Sequence, residues 1–376
     1  MRRVLGCCLL MAVLLPLLCK HAAASELNPE LIGKLNSPDP ATARQAIRAL
    51  ARAGPESAPA VPALIRAMGR HDSALDNDII EADAKIGAPP KQAVPELVRL
   101  MHDDRGLVRH LAAGALRKIG PVDREIISGF LPGLQSPDAR RRERAVEALG
   151  LLRAPHEIAI PALIRALDDG DASVRRAAAL AAGRILPPWQ EEPGPGLQQL
   201  LPALVGATKD PDPNVRRRAA TTLGERGAAA RAAVPALVEM LEKEDLTWLQ
   251  GYVADALGRF GPAAAPAVPA LSKALRSADA GLRSHAVCAL GWIRREKAVP
   301  MLVEMLQDPN VDVRRNAVNC LGRQGPAAAP ALESLVPLTD DPNQDLRKEA
   351  TELLERLRGI LAREANEPAS ESGLPQ

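Results

Sequence analysis

Apolar residues recur along the chain as pairs of short runs, and the stretch from Gly261 to Gly291 contains one complete pair. Pro269 begins the first run, and proline is tolerated there because the first-turn N–H groups of a helix have no intrahelical partner. Asp279 precedes the second run, where its carboxylate can accept hydrogen bonds from first-turn N–H groups. The apolar residues of the second run recur at helical spacing and are Leu282, Ala286, Ala289 and Leu290. The pattern predicts two antiparallel helices in this stretch.

The pattern occurs ten times, and most neighbouring copies lie 33 residues apart, as Pro29 and Pro62 do. The positions equivalent to Pro269 are Pro29, Pro62, Pro95, Ser128, Pro161, Pro202, Pro235, Pro300 and Glu333. Eight of the ten second runs carry leucine at the position of Leu290, and the exceptions are Asp83 and Ala182. One helix pair cannot bury its apolar face alone, so neighbouring pairs must stack. We therefore expect an all-α solenoid that forms one domain over residues 25–363.

The second run also follows a consensus, D-x-x-V-R-x-x-A-x-x-A-L-G. The segment from Asp212 to Gly224 carries it, and the segments that begin at Asp171 and Asp279 follow it closely. On these residues the chain resembles the HEAT-repeat proteins, specifically the short-repeat type named after phycobiliprotein lyases, over residues 27–363. The resemblance implies a right-handed α-solenoid of about ten two-helix HEAT-like repeats, in which partners commonly dock on the second helices at the concave side. It implies a non-catalytic scaffold for protein–protein interaction or complex assembly.

Residues 1–24 have a different character. Arg2 and Arg3 precede an apolar run from Val4 to Leu18, and Ala22 to Ala24 provide the small residues that signal peptidase requires. We interpret the segment as a cleaved signal peptide, because the apolar run is shorter than the roughly 20 residues of a membrane-spanning helix. A retained anchor is the alternative. The prediction is a periplasmic or extracellular protein with no transmembrane segment after signal removal, and residues 364–376 are predicted to form a disordered tail.

Composition and charge narrow the choice of partner. The chain is 47% hydrophobic but only 2% aromatic, which indicates a core of leucine, alanine and valine. Removal of residues 1–24 takes away three of the 48 basic residues and no acidic one, so 45 basic residues stand against 46 acidic ones. A nucleic-acid binder should be more basic. Arginine pairs in register, such as Arg175-Arg176, Arg216-Arg217 and Arg314-Arg315, leave a polyanion-binding solenoid as the competing hypothesis. The resemblance implies instead that the first arginine of each pair bonds acids and turn carbonyls of adjacent repeats.

Two departures from the repeat have a functional and a structural interpretation each. The second repeat carries four acids, Asp76, Asp78, Glu81 and Asp83, which could bind a cation or a basic partner. The favoured alternative is that its second helix rotates outward, because buried acids without partners are costly. Eight residues more than the usual spacing follow Leu186, within the segment PPWQEEPGPGLQQ, which should be a non-helical surface loop. The loop would display Trp189 either as a contact for a partner or merely as a cover for the gap that the loop creates.

A third departure gives the candidate binding site. One stripe at helical spacing contains Trp248, Tyr252, Asp255 and Arg259. The equivalent stripes of the next two repeats contain His285, Cys288 and Trp292, and then Asn316, Asn319 and Arg323. Tryptophan and tyrosine are enriched in interface hot spots. We therefore predict partner binding by Trp248, Tyr252, Asp255, Arg259, His285, Trp292 and Asn316, although the rings could also be packing filler.

The sequence offers little support for catalysis, and we predict neither catalytic residues nor a metal or cofactor site. His71, Asp72, His102, Asp103 and Asp104 could gather at turns, but polar residues are expected there. A lyase-like or metal-dependent enzyme is thus a remote alternative, since no Gly-rich phosphate loop or nucleophile elbow is present. Cys288 and Cys320 are predicted to be free thiols, because stacked helices lie roughly 8 to 10 Å apart.

Overall fold

The computed structural model describes residues 29–68, 73–120, 124–187 and 192–366. Within these ranges the protein consists of α-helices and short 3-10 segments, with no strand. Contacts divide the chain into two compact units, Met1–Ala159 and Ile160–Gln376. The predicted signal peptide, Trp189, His71 and Asp72 lie outside the described residues.

The helices alternate between first and second members of each pair. In chain order they are α1 (29–34), α2 (Pro40–Ala53), α3 (Val61–Ala67), α4 (Ser73–Ile86), α5 (Val94–Leu100), α6 (Gly106–Ile119), α7 (Arg124–Ser128), α8 (Ala139–Leu152), α9 (His156–Leu167), α10 (Ala172–Ile185), α11 (Pro195–Gly206), α12 (Pro213–Glu225), α13 (Val234–Lys243), α14 (Thr247–Arg259), α15 (Val268–Ala274), α16 (Ala280–Arg294), α17 (Val299–Met305), α18 (Val311–Arg323), α19 (Leu332–Leu335) and α20 (Gln344–Asn366). The 3-10 segments are Gly54–Ala60, Lys91–Ala93, Leu131–Gln135, Ala207–Lys209, Gly227–Ala233, Gly261–Ala267, Arg295–Ala298, Gly325–Ala331 and Val336–Asp340.

Second helices stack side by side. In the first unit α2 packs on α4 and α6 packs on α8. In the second unit α10, α12, α14, α16, α18 and α20 form a continuous series, and each of α13, α15 and α17 packs on the second helix that follows it. The predicted all-α architecture of stacked helix pairs is thus confirmed.

Local sequence explains where these helices begin. Pro269 occupies the second position of α15, and Asp279 caps α16 by accepting a hydrogen bond from the backbone N–H of Leu282 at 2.7 Å. Other second helices are capped in the same way, by Asp39, Asp138, Asp171, Asp212 and Asn310. These caps satisfy N–H groups that the helix itself leaves unpaired.

The core is the leucine stripe that the repeat predicts. Leu223, Leu257, Leu290 and Leu321 are completely buried between neighbouring helices of the second unit. Arginines tie the turns together at the edge of this core. Arg283 donates to both carboxylate oxygens of Asp308, at 2.7 and 2.8 Å, and to the carbonyl of Ser277. Arg175, Arg216 and Arg314 repeat this arrangement with Asp210, Glu244 and Asp341. The first arginines therefore have the structural role that the resemblance implied.

The outward rotation expected for the acidic second repeat is wrong. Helix α4 faces inward, with Leu75, Ile79, Ala82 and Ile86 buried. Asp83 is also buried, and it accepts a hydrogen bond from the ammonium group of Lys118 at 2.6 Å. Asp78 pairs with Arg44, and Glu81 pairs with Lys85 on the same helix. An ion pair thus takes the place of the leucine, which avoids the cost of an unpaired buried acid.

The loop after Leu186 is shorter than predicted. Helix α11 already begins at Pro195, with Gly194 before it, and Pro202 lies inside the helix. Pro195 fits because a proline at the first helical position loses no intrahelical hydrogen bond.

The end of the array is also slightly longer than predicted, because α20 continues to Asn366. Residues 367–376 lie outside the described residues. None of the helices in the described part of the chain combines the length and the apolar composition of a membrane span.

Candidate docking surface

Glycines bring four consecutive second helices of the second unit unusually close together. A Cβ atom at Gly224 of α12 would lie 2.7 Å from the Cα atom of Ala256 on α14. The equivalent Gly258 would place a Cβ 3.0 Å from the Cα of Ala289 on α16, and Gly291 would place one 3.2 Å from Cys320 on α18. The helices can approach this far only because glycine has no side chain.

A cavity of about 1080 Å³ lies along this row, and we call it the α14–α18 cavity. Its floor consists of small residues, including Gly224, Gly258, Ala289 and Gly291. Its charged, cysteine and aromatic side chains are Glu225, Asp255, Arg259, Cys288, Trp292, Arg295, Glu296, Cys320 and Arg323. Four successive repeats, those of α12, α14, α16 and α18, therefore contribute side chains to one cavity, whose volume lies at the upper end of the range for ligand sites.

The connection between α16 and α17 is the shortest around the cavity. The 3-10 segment Arg295–Ala298 has four residues, whereas the equivalent segments Gly261–Ala267 and Gly325–Ala331 have seven each. Arg295 also has a φ of 46°, at the junction where the two longer segments place a glycine with positive φ. Such backbone conformations in non-glycine residues concentrate at functional sites.

The three arginines of the cavity form no ion pair with a carboxylate among the described residues, although Glu296 also lines the cavity. Arg259 and Arg295 are exposed and, among the residues that the structure describes, neither has an ion-pair partner. Arg323 likewise lacks a carboxylate partner in the described part of the chain, and its guanidinium stacks over the ring of Trp292 at 5.0 Å. Two of the cavity's acids are already engaged, because Glu225 pairs with Arg226 and Asp255 with His285. The site is therefore electrostatically suited to carboxylate groups.

An aromatic edge adjoins the cavity on α14. Trp248 and Tyr252 are 45% and 44% exposed, and their rings meet edge to face with centroids 6.2 Å apart. Arg217 of α12 lies over the Tyr252 ring at 5.3 Å. Trp292 is 55% exposed, more than Trp248 or Tyr252. Large parts of each ring therefore remain open to solvent.

His285 links the aromatic edge to the cavity. Its Nδ1 atom lies 2.8 Å from Oδ1 of Asp255 on α14, and its ring packs against the space left by Gly251. The hydrogen bond to Asp255 raises the pKa of His285, while burial acts in the opposite direction. The bond therefore strengthens with protonation of the imidazole.

The structure brings most of the predicted site residues together. Asp255, Arg259 and Trp292 line the cavity, and His285 contacts it through Asp255. Trp248 and Tyr252 lie seven and three residues before Asp255 on α14 and are not among the lining residues. Asn316 lies apart from them and donates a hydrogen bond to Ser284. Sequence reasoning missed Arg295 and Glu296 as site residues. The signal for both was the 31-residue spacing between Pro269 and Pro300, where the other neighbouring markers lie 33 or more apart.

The two cysteines lie on adjacent second helices and line the same cavity. Both are free thiols, as predicted, and Cys320 packs against α16 beside Gly291, three residues from Cys288. Gly291 permits this packing, because a Cβ there would lie 3.2 Å from both Cβ and Sγ of Cys320. Within the described residues, no group of three or more histidine, cysteine or acidic side chains is arranged to bind a metal ion.

Comparison with solved structures identifies the fold. Kap121p bound to Nup53p matches with 14% identity over 91% of this chain and 42% of that chain, at a TM-score of 0.60. Importin beta matches with 17% identity over 92% of this chain and 56% of that chain, at a TM-score of 0.52. The chain thus spans about half the length of these two proteins. The CpcE–CpcF complex of phycocyanin lyase from Nostoc sp. matches with 25% identity over 63% of this chain and 96% of that chain, at a TM-score of 0.39.

Sequence comparison gives the family. No curated protein sequence matches the chain. A family model for HEAT repeats matches residues 28–117, 127–203, 197–268 and 268–355, which together make up most of the chain. Because this match covers most of the chain and the structure consists of stacked helix pairs, the chain belongs to the HEAT-repeat proteins.

Proposed function

We propose that this protein is a non-catalytic scaffold that binds a partner protein through a docking face on α14, α16 and α18. The docking face consists of the aromatic edge and the α14–α18 cavity. HEAT-repeat solenoids are a scaffold type that typically mediates protein–protein interactions, and Kap121p is a structurally similar example bound to a protein partner, Nup53p.

The proposal rests on one observation, the exposure of aromatic rings on consecutive second helices. The chain has only three tryptophans and one tyrosine. Trp248, Tyr252 and Trp292 belong to this small set, and all three are exposed while the core is built almost entirely from aliphatic residues. Large exposed rings offer extensive apolar area with one polar edge, the combination found at interface hot spots. They therefore favour a protein surface as the ligand.

The charge of the docking face indicates the chemistry of that partner. Arg259, Arg295 and Arg323 surround the cavity without carboxylate partners in the described part of the chain. A partner segment with acidic side chains next to apolar ones would pair with these guanidinium groups and cover the rings. A polyanion such as nucleic acid is less well matched, because the first arginines of the rows already bond Asp210, Asp308 and Asp341.

We further propose that the scaffold acts after export, in the periplasm or outside the cell. The basic Arg2 and Arg3, the apolar run to Leu18 and the alanines before Ser25 support a cleaved signal peptide. Mass spectrometry of the protein from its native cells should find Ser25 at the N-terminus. An N-terminus that retains residues 1–24 would contradict cleavage.

The docking face can be tested with matched alanine variants. Wild type, Tyr252→Ala, Trp292→Ala and Leu107→Ala would each be used to capture partners from the native compartment. Leu107 is a suitable control because it is 45% exposed, like Tyr252, but belongs to α6 in the other unit. We expect the two face variants to weaken capture of one protein by roughly 2 kcal/mol or more, about 30-fold, with an unchanged melting temperature.

Two outcomes would contradict the docking face. If Tyr252→Ala lowers the melting temperature and leaves capture intact, the ring serves packing. If wild type instead captures mixed polyanions that salt elutes, the arginine rows bind them and the protein-binding function is wrong.

A further inference from the structure

Two cysteines from adjacent repeats meet inside the α14–α18 cavity. Cys288 on α16 is partly exposed, whereas Cys320 on α18 is only 3% exposed. Both side chains line the cavity, and Cys320 packs against α16 beside Gly291, three residues from Cys288. A Cβ at Gly291 would lie 3.2 Å from both Cβ and Sγ of Cys320, so the missing side chain at that position allows the contact.

The surroundings make the two thiols chemically different. The neighbouring Cys320 thiol lowers the pKa of Cys288, and His285 and Arg323 act in the same direction, against burial and the Asp255 carboxylate. The pKa of Cys320 is raised by the neighbouring Cys288 and by burial. Since the thiolate is the reactive form, the first proton to leave comes from the more accessible sulfur.

This division of roles matches a nucleophilic and a resolving cysteine. The nucleophile must be reachable from solvent and readily ionised, which describes Cys288. The resolving thiol must be close to it but shielded from outside reagents, which describes Cys320. Helices α16 and α18 pack directly on each other and hold both groups in the wall of the same cavity.

We propose that Cys288 and Cys320 form a thiol modification site that reacts with small-molecule disulfides and closes into a reversible disulfide between adjacent repeats. The Cys288 thiolate attacks one sulfur of the small disulfide, forms a mixed disulfide and releases one thiolate. Cys320 then loses its proton and attacks the Cys288 sulfur, which forms the Cys288–Cys320 bond and releases the second thiolate. The protein gives up two protons and two electrons, and the small disulfide is reduced to two thiols.

The closed bond would covalently connect the helices that carry Trp292 and Arg323. It would remove a thiol from the cavity wall and tie two repeats that otherwise only pack on each other. The proposal is independent of the docking function, because the reaction needs no partner protein.

Tryptic peptide mapping gives a direct test. Trypsin releases Cys288 in the peptide Ser284–Arg294 and Cys320 in the peptide Asn316–Arg323, so their disulfide appears as a cross-linked pair of defined mass. The folded, reduced protein would be treated with oxidised glutathione, quenched by alkylation and digested. We expect the cross-linked pair to accumulate and to disappear after dithiothreitol treatment.

Two single variants separate the roles. In Cys320→Ser the reaction should stop at a glutathione mixed disulfide on Cys288. In Cys288→Ser the remaining Cys320 should react at least about tenfold more slowly than Cys288 does in wild type, because it is buried. The wild-type map does not depend on whether either variant folds.

The proposal would be overturned by a wild-type protein that accumulates the mixed disulfide without the cross-link. It would equally be overturned if neither thiol reacts in the folded protein, or if Cys320 acquires glutathione before Cys288.

Discussion

At the scale of single residues, the docking face depends on side chains whose neighbours modify their chemistry. Arg217 stacks on Tyr252, Arg323 stacks on Trp292, and Asp255 holds the ring of His285. Each contact joins two different repeats of the second unit. The exposed rings are therefore oriented by fixed partners, which reduces the side-chain entropy that binding would cost.

The Asp255–His285 contact predicts a definite pH dependence. Because the folded-state pKa of His285 is raised, the contact contributes fully below the unfolded-state pKa of about 6.5 and is lost as the pH rises through the folded-state value. The difference in unfolding free energy between wild type and His285→Gln should therefore shrink as the pH rises through this range. NMR titration should give His285 a lower pKa in Asp255→Asn than in wild type. Identical pKa values in the two proteins would show that the carboxylate has no influence on the ring.

At the scale of helices, the missing glycine side chains decide how closely α12, α14, α16 and α18 pack. A methyl group at Gly224 would meet backbone atoms of Ala256, including a Cα at 2.7 Å and a carbonyl oxygen at 3.1 Å. Backbone cannot rotate away as a side chain can. The two helices would have to separate, with loss of packing around Leu223 and Leu257.

The corresponding prediction compares two glycine substitutions. Gly224→Ala should lower the free energy of unfolding by about 1 to 3 kcal/mol, because overpacking outweighs the better helix propensity of alanine. Gly359→Ala is the matched control, since Gly359 also lies in a second helix, α20, but an added Cβ there meets no atom within 4 Å. That substitution should raise stability by about 0.5 to 1 kcal/mol. Urea unfolding of both variants provides the measurement, and effects of the same sign would disprove the steric explanation.

At the scale of the whole molecule, stability should be distributed among neighbouring repeats. From α10 to α20, neighbouring second helices of the second unit contact each other. Repeat proteins of this kind behave as sums of unit and interface energies. Damage to one interface is therefore expected to remain local.

Leu257→Ala tests this expectation. The side chain is completely buried in α14, so its truncation should cost about 2 to 5 kcal/mol. Hydrogen exchange followed by mass spectrometry should show lost protection in α12, α14 and α16, with α2 and α4 unchanged. Leu107→Ala, which removes an exposed leucine, should leave all of these helices protected. Equal loss of protection along the whole chain would contradict the local model.

The sequence by itself determined the repeat, the leucine core and the aspartate caps, because these depend on residues close together in the chain. The 33-residue spacing placed Leu257 and Leu290 at equivalent core positions, and Asp279 in front of α16. It also placed the exposed rings in one stripe. Contacts between side chains that lie far apart in the chain were harder to predict from the sequence. Asp83 was thus expected to face outward, because nothing near it in the sequence shows that Lys118 neutralises it.

Only the tertiary structure decided the shape and chemistry of the docking face. The α14–α18 cavity and the packing of Cys320 against α16 both depend on the distance between helices, which Gly224, Gly258 and Gly291 set. The sequence shows a consensus glycine as part of the repeat. It does not show how near the next helix comes. That distance results from the packing of two surfaces, and a change of a few ångströms determines whether side chains meet or leave a cavity.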